Sequence, residues 1–104
     1  MRRPAADECL RVARVMNEVA DELGKAMQSH GPLRSAHEGY AVVLEEVREL
    51  EREVFCREGK REALRAEAIQ VAAMAVRLVA DVLDGGATEA VQRSARVERP
   101  GRKA

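Results

Sequence analysis

An all-α fold is what this sequence predicts: an antiparallel bundle of three long helices plus a candidate short fourth, completed by oligomerisation. Three observations carry the expectation. Apolar residues recur every three or four positions over three segments, the period of a helix face and not of a strand. Each segment is bounded by helix punctuation, Pro4 and His30-Gly31-Pro32 around the first, Ser35 and Gly59 around the second, Lys60 and Gly85-Gly86 around the third. With one Phe, one Tyr and no Trp among 104 residues, the core must come from Ala, Val, Leu and Met, small side chains that suit close helix packing.

The first helix is expected from Pro4, a natural first-turn residue, to about Ser29. Cys9, Val12, Val15, Met16, Val19, Leu23, Ala26 and Met27 recur at helical spacing. Its polar positions, among them Arg11, Arg14, Glu18, Asp21, Glu22 and Lys25, mix both signs as a solvated face does. His30-Gly31-Pro32 then ends it, because proline disfavours helical backbone in the residue before it.

The second helix is expected from near Ala36 to near Gly59. Ser35 and Glu38 make a capping-box pattern at its start, and glycine is a typical stop. Tyr40, Val43, Val47, Leu50 and Val54 form one stripe directed at a core. Glu38, Glu45, Glu46, Glu49 and Glu53 occupy an arc of about 100° on the far side, with no Lys or Arg inside it. A solvated face normally intersperses signs, since like charges at i,i+4 cost roughly 0.2–0.5 kcal/mol per pair. Glu45 with Glu49, and Glu49 with Glu53, both repel, and a hard divalent cation would reverse that repulsion.

The third helix, from Lys60 to about Leu83, is apolar around most of its circumference and is expected to be buried on several sides. Its polar residues Glu67, Gln70, Arg77 and Asp81 share a stripe of about 80°. In an antiparallel hairpin about Gly59, Glu46, Glu49, Glu67 and Gln70 fall at one level. The connector meanwhile brings His30, Arg34, His37 and Tyr40 to one end of the acidic helix, where they suit the rim of a small-molecule pocket. Beyond Gly86, residues 87–104 suggest a short helix from Thr88 to about Ala95 and then a basic, disordered tail.

Composition narrows the function. Formal net charge is zero, which gives no global attraction to nucleic acid or to an anionic membrane. Cys9 and Cys56 stand apart without C-x-x-C or a histidine at ligand spacing, so they read as reduced thiols. The N-terminus lacks the apolar run of a signal peptide, and the most apolar segment is interrupted by Glu67, Gln70, Arg77 and Asp81. These features fit a cytoplasmic protein. There is no phosphate-cradling glycine loop, no nucleophile elbow and no Glu-x-x-His pair of a di-iron bundle.

E-E-V-R-E at Glu45 to Glu49, followed by E-A-I-Q at Glu67 to Gln70, resembles the MazG-like branch of the all-α nucleoside triphosphate pyrophosphohydrolases, with E-E-x-x-E on one helix and E-x-x-D on the next. The similarity runs through roughly residues 30–84, as in small bacterial and phage proteins of that kind. It implies magnesium-dependent hydrolysis of a (deoxy)nucleoside triphosphate to the monophosphate and pyrophosphate, manganese being a candidate substitute. The implied metal ligands are Glu46, Glu49, Glu67 and Gln70, the last in the place of the family's aspartate, with Glu45 and Glu46 as catalytic carboxylates. Lys60, Arg61 and Arg65 are candidates to hold phosphates, by charge and location, and His30, His37 and Tyr40 to line the nucleotide pocket. The partner expected is a second copy of the chain, as dimer or tetramer. Two other readings stay open, a weak or inactive relative that binds nucleotide or metal, and a helical interaction module with a merely solvated acidic face.

Overall fold

The structure, a computed structural model, describes residues 1–85. It is all-α: α1 (Ala6–Ser29), α2 (Ala36–Val54) and α3 (Arg61–Arg77), which continues in helical backbone into a π-helical segment, Leu78–Asp84. The short helix expected from Thr88 and the basic tail lie outside the described residues. Chain direction runs up, down, up. Glu49 meets Glu67 and Gly39 meets Leu78, so α2 and α3 are antiparallel. Glu18 meets Arg65, Glu22 meets Gln70 and the Ala26 carbonyl meets Arg77, a ladder that makes α1 and α3 parallel. α3 packs against both other helices, and the π-helical segment packs against α2.

Local chemistry sets the boundaries. Glu8, held by Arg2, accepts from the Ala5 amide at 2.9 Å at the start of α1. Ser35 Oγ accepts from the Glu38 amide at 3.0 Å, the serine half of the capping box, while Glu38 reaches back one residue further than expected, to the Arg34 amide at 2.6 Å. At its other end α2 stops at Val54, five residues before Gly59. The Phe55 amide closes the last helical bond on Glu51, and Cys56 then turns in more tightly, donating to the Glu53 carbonyl at 3.4 Å. Gly59 has a different task from a helix stop. A Cβ there would lie 2.8 Å from the Glu53 carbonyl oxygen, so only glycine lets the chain fold back over the end of α2.

One buried arginine joins the elements. Arg77, only 5% exposed, donates Nε to Asp81 Oδ2 at 2.9 Å and its terminal nitrogens to the carbonyls of Ala26, His30 and Gly31. Those carbonyls end α1 and open the connector; Ala26 also accepts the His30 amide at 2.9 Å, whereas His30 and Gly31 lie beyond the last helical bond. Asp81 Oδ2 also accepts from the Leu33 amide at 3.0 Å, so the same pair fixes the connector. Burial of the charge is tolerable because the guanidinium is paired and its donors are used.

Leu33, Ala73, Met74 and Val82 form the buried apolar core, at the end of the bundle where Arg77 sits. Gly39 is buried there too, since a Cβ would collide with Leu78 Cδ1. Elsewhere the expected core faces are less covered than periodicity suggests. α1 buries none of its residues, with Val12, Met16 and Met27 each more than half exposed. Tyr40 and Val54 on the α2 stripe are exposed, as are Val76 on α3 and Val79 in the π-helical segment. Periodicity identifies the apolar side of a helix, and three helices in one copy do not cover all of those sides. Among the described residues no helix is long and apolar enough to cross a membrane.

Arg77→Ala is expected to destabilise the chain by about 3–5 kcal/mol, the scale of a buried pair that loses one member. Urea unfolding at fixed protein concentration measures it, and Arg77→Lys should not rescue, because an ammonium cannot span Asp81 and three carbonyls together. Gly39→Val should cost about 1–3 kcal/mol by overpacking against Leu78.

Candidate metal centre and adjoining cleft

α2 ends five residues before Gly59 while α3 begins two residues after it, and the carboxylate level survives. At 1.5 Å per residue, Glu49 lies about 8 Å from the end of α2 and Glu67 about 9 Å from the start of α3. Oxygens of Glu45, Glu46 and Glu49 lie within 4.8 Å of one another on α2, an arrangement suited to a metal ion. Glu67 faces them from α3 within hydrogen-bonding reach of Glu49, and its Oε2 is enclosed with no hydrogen-bond partner.

The electrostatics are those of uncompensated negative charge. Burial, then the charges of Glu49, Glu67 and Glu45, hold the Glu46 carboxyl above its ordinary value. Glu67 is raised as well, by burial first and then by Glu49 and Glu53, with the Arg52 charge opposing only in part. Glu8 and Glu18 are lowered, by hydrogen bonds to Arg2 and Arg65 respectively. The chain's arginines thus hold the outer carboxylates down and leave the inner ones to repel each other.

Gln70 lies one turn beyond Glu67 and donates its amide nitrogen to Glu22 Oε2 at 2.6 Å. Lys25 Nζ lies 3.8 Å from the other oxygen of Glu22. Beside this level opens a cleft of about 560 Å³ between the end of α1, the connector, α2 and α3. Glu45, Glu46, Glu22 and Gln70 stand on its walls, Val42, Met74 and Leu33 supply apolar lining, and Lys25, Ser29, His30 and Arg34 complete it. The volume falls within the roughly 300–1,000 Å³ common for small-molecule sites.

Of the residues singled out in the sequence, Glu45, Glu46, Gln70, His30 and Arg34 line this cleft, and Glu49 and Glu67 lie at its acidic end. His37 and Tyr40 are exposed on the first turns of α2 and are not among its lining residues. Lys60 caps the start of α3 and Arg61 opens it, at the hairpin end rather than on the cleft. Arg65 makes a two-armed ion pair with Glu18 and lines a smaller hollow with Glu62 and Ile69. Glu22 and Lys25 join the site from the face of α1 that its mixed signs mark as solvated. For Glu22 a signal existed: Glu18 and Glu22 are a like-charged i,i+4 pair, the pattern that marks α2.

The donor set fits a hard divalent cation: oxygen ligands in surplus, carboxyls whose ionised form is disfavoured, and one enclosed oxygen without a partner. No protein-family model, curated protein or solved structure matches this chain.

A sign follows for stability. Carboxyls raised in the folded state favour folding below their ordinary value, and that contribution is lost as pH rises through the raised value. Glu46 and Glu67 therefore oppose folding near neutrality, whereas Glu8 and Glu18 favour it there and lose their effect as pH falls through their lowered values. Metal-free protein should gain thermal stability from pH 7 toward the ordinary carboxylate range, then lose it in stronger acid. Magnesium or manganese should flatten the gain. Glu49→Gln removes two i,i+4 repulsions, worth about 0.5–1 kcal/mol together, and should raise the metal-free melting temperature by about 2–6 °C while abolishing the rise with metal, as read by scanning calorimetry.

Proposed function

We propose that this chain is a magnesium-dependent nucleoside triphosphate pyrophosphohydrolase of the MazG-like kind, acting on a (deoxy)nucleotide. The observation that carries the reading is the meeting of carboxylates from α2 and α3 at the acidic end of a nucleotide-sized cleft. The resemblance of E-E-V-R-E and E-A-I-Q to the family motifs supports it from the sequence side.

Glu46, Glu49 and Glu67, with Gln70, are the residues to hold magnesium, or manganese in its stead. The bound ion supplies neutralisation of phosphate charge beside the attacked phosphorus. Glu45, exposed at the cleft, and Glu46, whose raised carboxyl takes up a proton more readily than an ordinary one, are the groups to orient water and accept its proton. Water oxygen bonds to the α-phosphorus, the bridging bond to the β-phosphate breaks, and pyrophosphate leaves. Val42, Met74 and Leu33 offer apolar surface to the nucleoside, with His30, Ser29 and Arg34 as polar partners. Arg65 reaches a phosphate only by giving up Glu18, so Lys25 and Arg34 are nearer cations for that task than the triad at the hairpin end.

A second copy is the partner we assign to the uncovered apolar sides, since α1 buries no residue of its own. That observation also favours the second reading, a helical interaction module whose acidic face binds nothing.

Pyrophosphate release from a panel of ribo- and deoxynucleoside triphosphates, with magnesium, with manganese and with EDTA, separates the readings. Metal-dependent release is expected for at least one nucleotide. Glu49→Ala should lower it by roughly 100-fold or more, the scale of losing one preorganised charge partner. Silence across the panel from folded protein that binds no metal would leave the interaction module.

A further inference from the structure

A carboxylamide is ambiguous as a metal ligand until something fixes its orientation. Its oxygen accepts or ligates, its nitrogen only donates, and the two ends are nearly the same shape. At Gln70 the choice is made by a residue on another helix. The 2.6 Å contact to Glu22 Oε2 is an amide N–H donated to a carboxylate, because two acceptor oxygens would repel at that separation. Nitrogen toward α1 leaves the carbonyl oxygen on the side away from Glu22. Glu22 is itself braced by Lys25 at 3.8 Å, and its side chain is 29% exposed, so water competes for it less than at an open surface.

We propose that Glu22 is a positioning residue of the metal site: by taking the amide hydrogen of Gln70 it turns the carbonyl oxygen of that residue away from α1 and makes it an oxygen ligand. This rests on the metal site assigned under the proposed function. The charge pattern agrees. Position 70 carries no charge, yet a carboxylate stands 2.6 Å away on α1, so this helix adds a negative charge to the level. Glu22, Gln70, Glu45 and Glu46 line one cleft, so the pair adjoins the α2 carboxylates.

The contact has a consequence that a simple ligand substitution lacks. Gln70→Asp removes the donor and sets a second carboxylate against Glu22. The compatible change is double, Glu22→Gln with Gln70→Asp, which reverses the two roles and keeps one donor facing one carboxylate.

Calorimetric titration of manganese and of magnesium into the purified full chain tests this without reference to turnover, on wild type, Glu22→Gln, Gln70→Asp and the double variant. Glu22→Gln should weaken metal binding by about 10-fold or more, the scale of losing a residue that orients a ligand. Gln70→Asp alone should bind no more tightly than wild type, and the double variant should return to wild-type affinity or better. A Glu22→Gln protein with wild-type affinity and only a shifted melting temperature would show a merely structural contact and overturn the inference alone. So would a single Gln70→Asp variant that binds metal more tightly with Glu22 intact. Wild-type protein that binds neither ion overturns the metal site itself, and this inference with it.

Discussion

Arg77 is the side chain on which the arrangement of this small bundle depends. α1 has no fully buried residue, its apolar positions Val19, Leu23 and Ala26 being half-buried, so apolar packing holds it against α3 only in part. The guanidinium supplies what packing does not: a rigid fork of donors reaching the Ala26, His30 and Gly31 carbonyls while Nε holds Asp81. A cation at the C-terminal end of a helix is also favoured by the aligned peptide dipoles of that helix. Asp81 passes the constraint onward through the Leu33 amide, and Leu33 belongs to the buried core. One pair thus sets the end of α1, the path of the connector and the entry into α2, and the cleft lies among these three and α3.

From that anchor toward the hairpin, the interior changes from neutralised to charged. Arg77 satisfies Asp81, and at the opposite edge Arg65 satisfies Glu18. Between them stand Glu45, Glu46, Glu49 and Glu67, for which the described residues offer no ion pair and only the distant opposition of Arg52 to one member. The contrast argues against a face that is simply solvated. A chain with as many basic as acidic residues could place a basic residue inside this arc, and it uses its arginines elsewhere. The mutual repulsion disfavours the ionised forms of Glu46 and Glu67, an effect that a divalent cation would reverse.

Much of this was legible in the sequence because local rules act locally. Ser35 caps α2 as its type and position require, and the hairpin spacing set Glu49 against Glu67 even though α2 ends five residues early, because both stand at a similar distance from the helix ends that face the turn. Arg77 and Asp81 were readable as a polar stripe on an apolar helix. Their partners were not, because backbone carbonyls have no sequence signature. Glu22 was passed over since mixed signs along α1 look like solvent exposure, and only the parallel docking of α1 on α3 shows that Glu18 and Glu22 face Arg65 and Gln70. Coverage of the apolar stripes was illegible for a related reason: a helical period gives the direction of an apolar face, and what lies opposite is a property of the assembled chain.

The ladder from α1 to α3 links fold to site. Its rungs are Glu18 to Arg65 at the surface, Glu22 to Gln70 at the carboxylate level and Ala26 to Arg77 in the core, each more buried than the one before. An exposed ion pair contributes little, and the buried rung is fixed whatever the state of the site. The middle rung is the variable one, since the orientation of the Gln70 amide is shared between Glu22 and whatever faces its oxygen. A ligand that engages that oxygen polarises the amide and strengthens its N–H bond to Glu22, so filling the site and docking α1 favour each other. Reciprocity then requires that anything holding α1 more firmly also favours filling of the site.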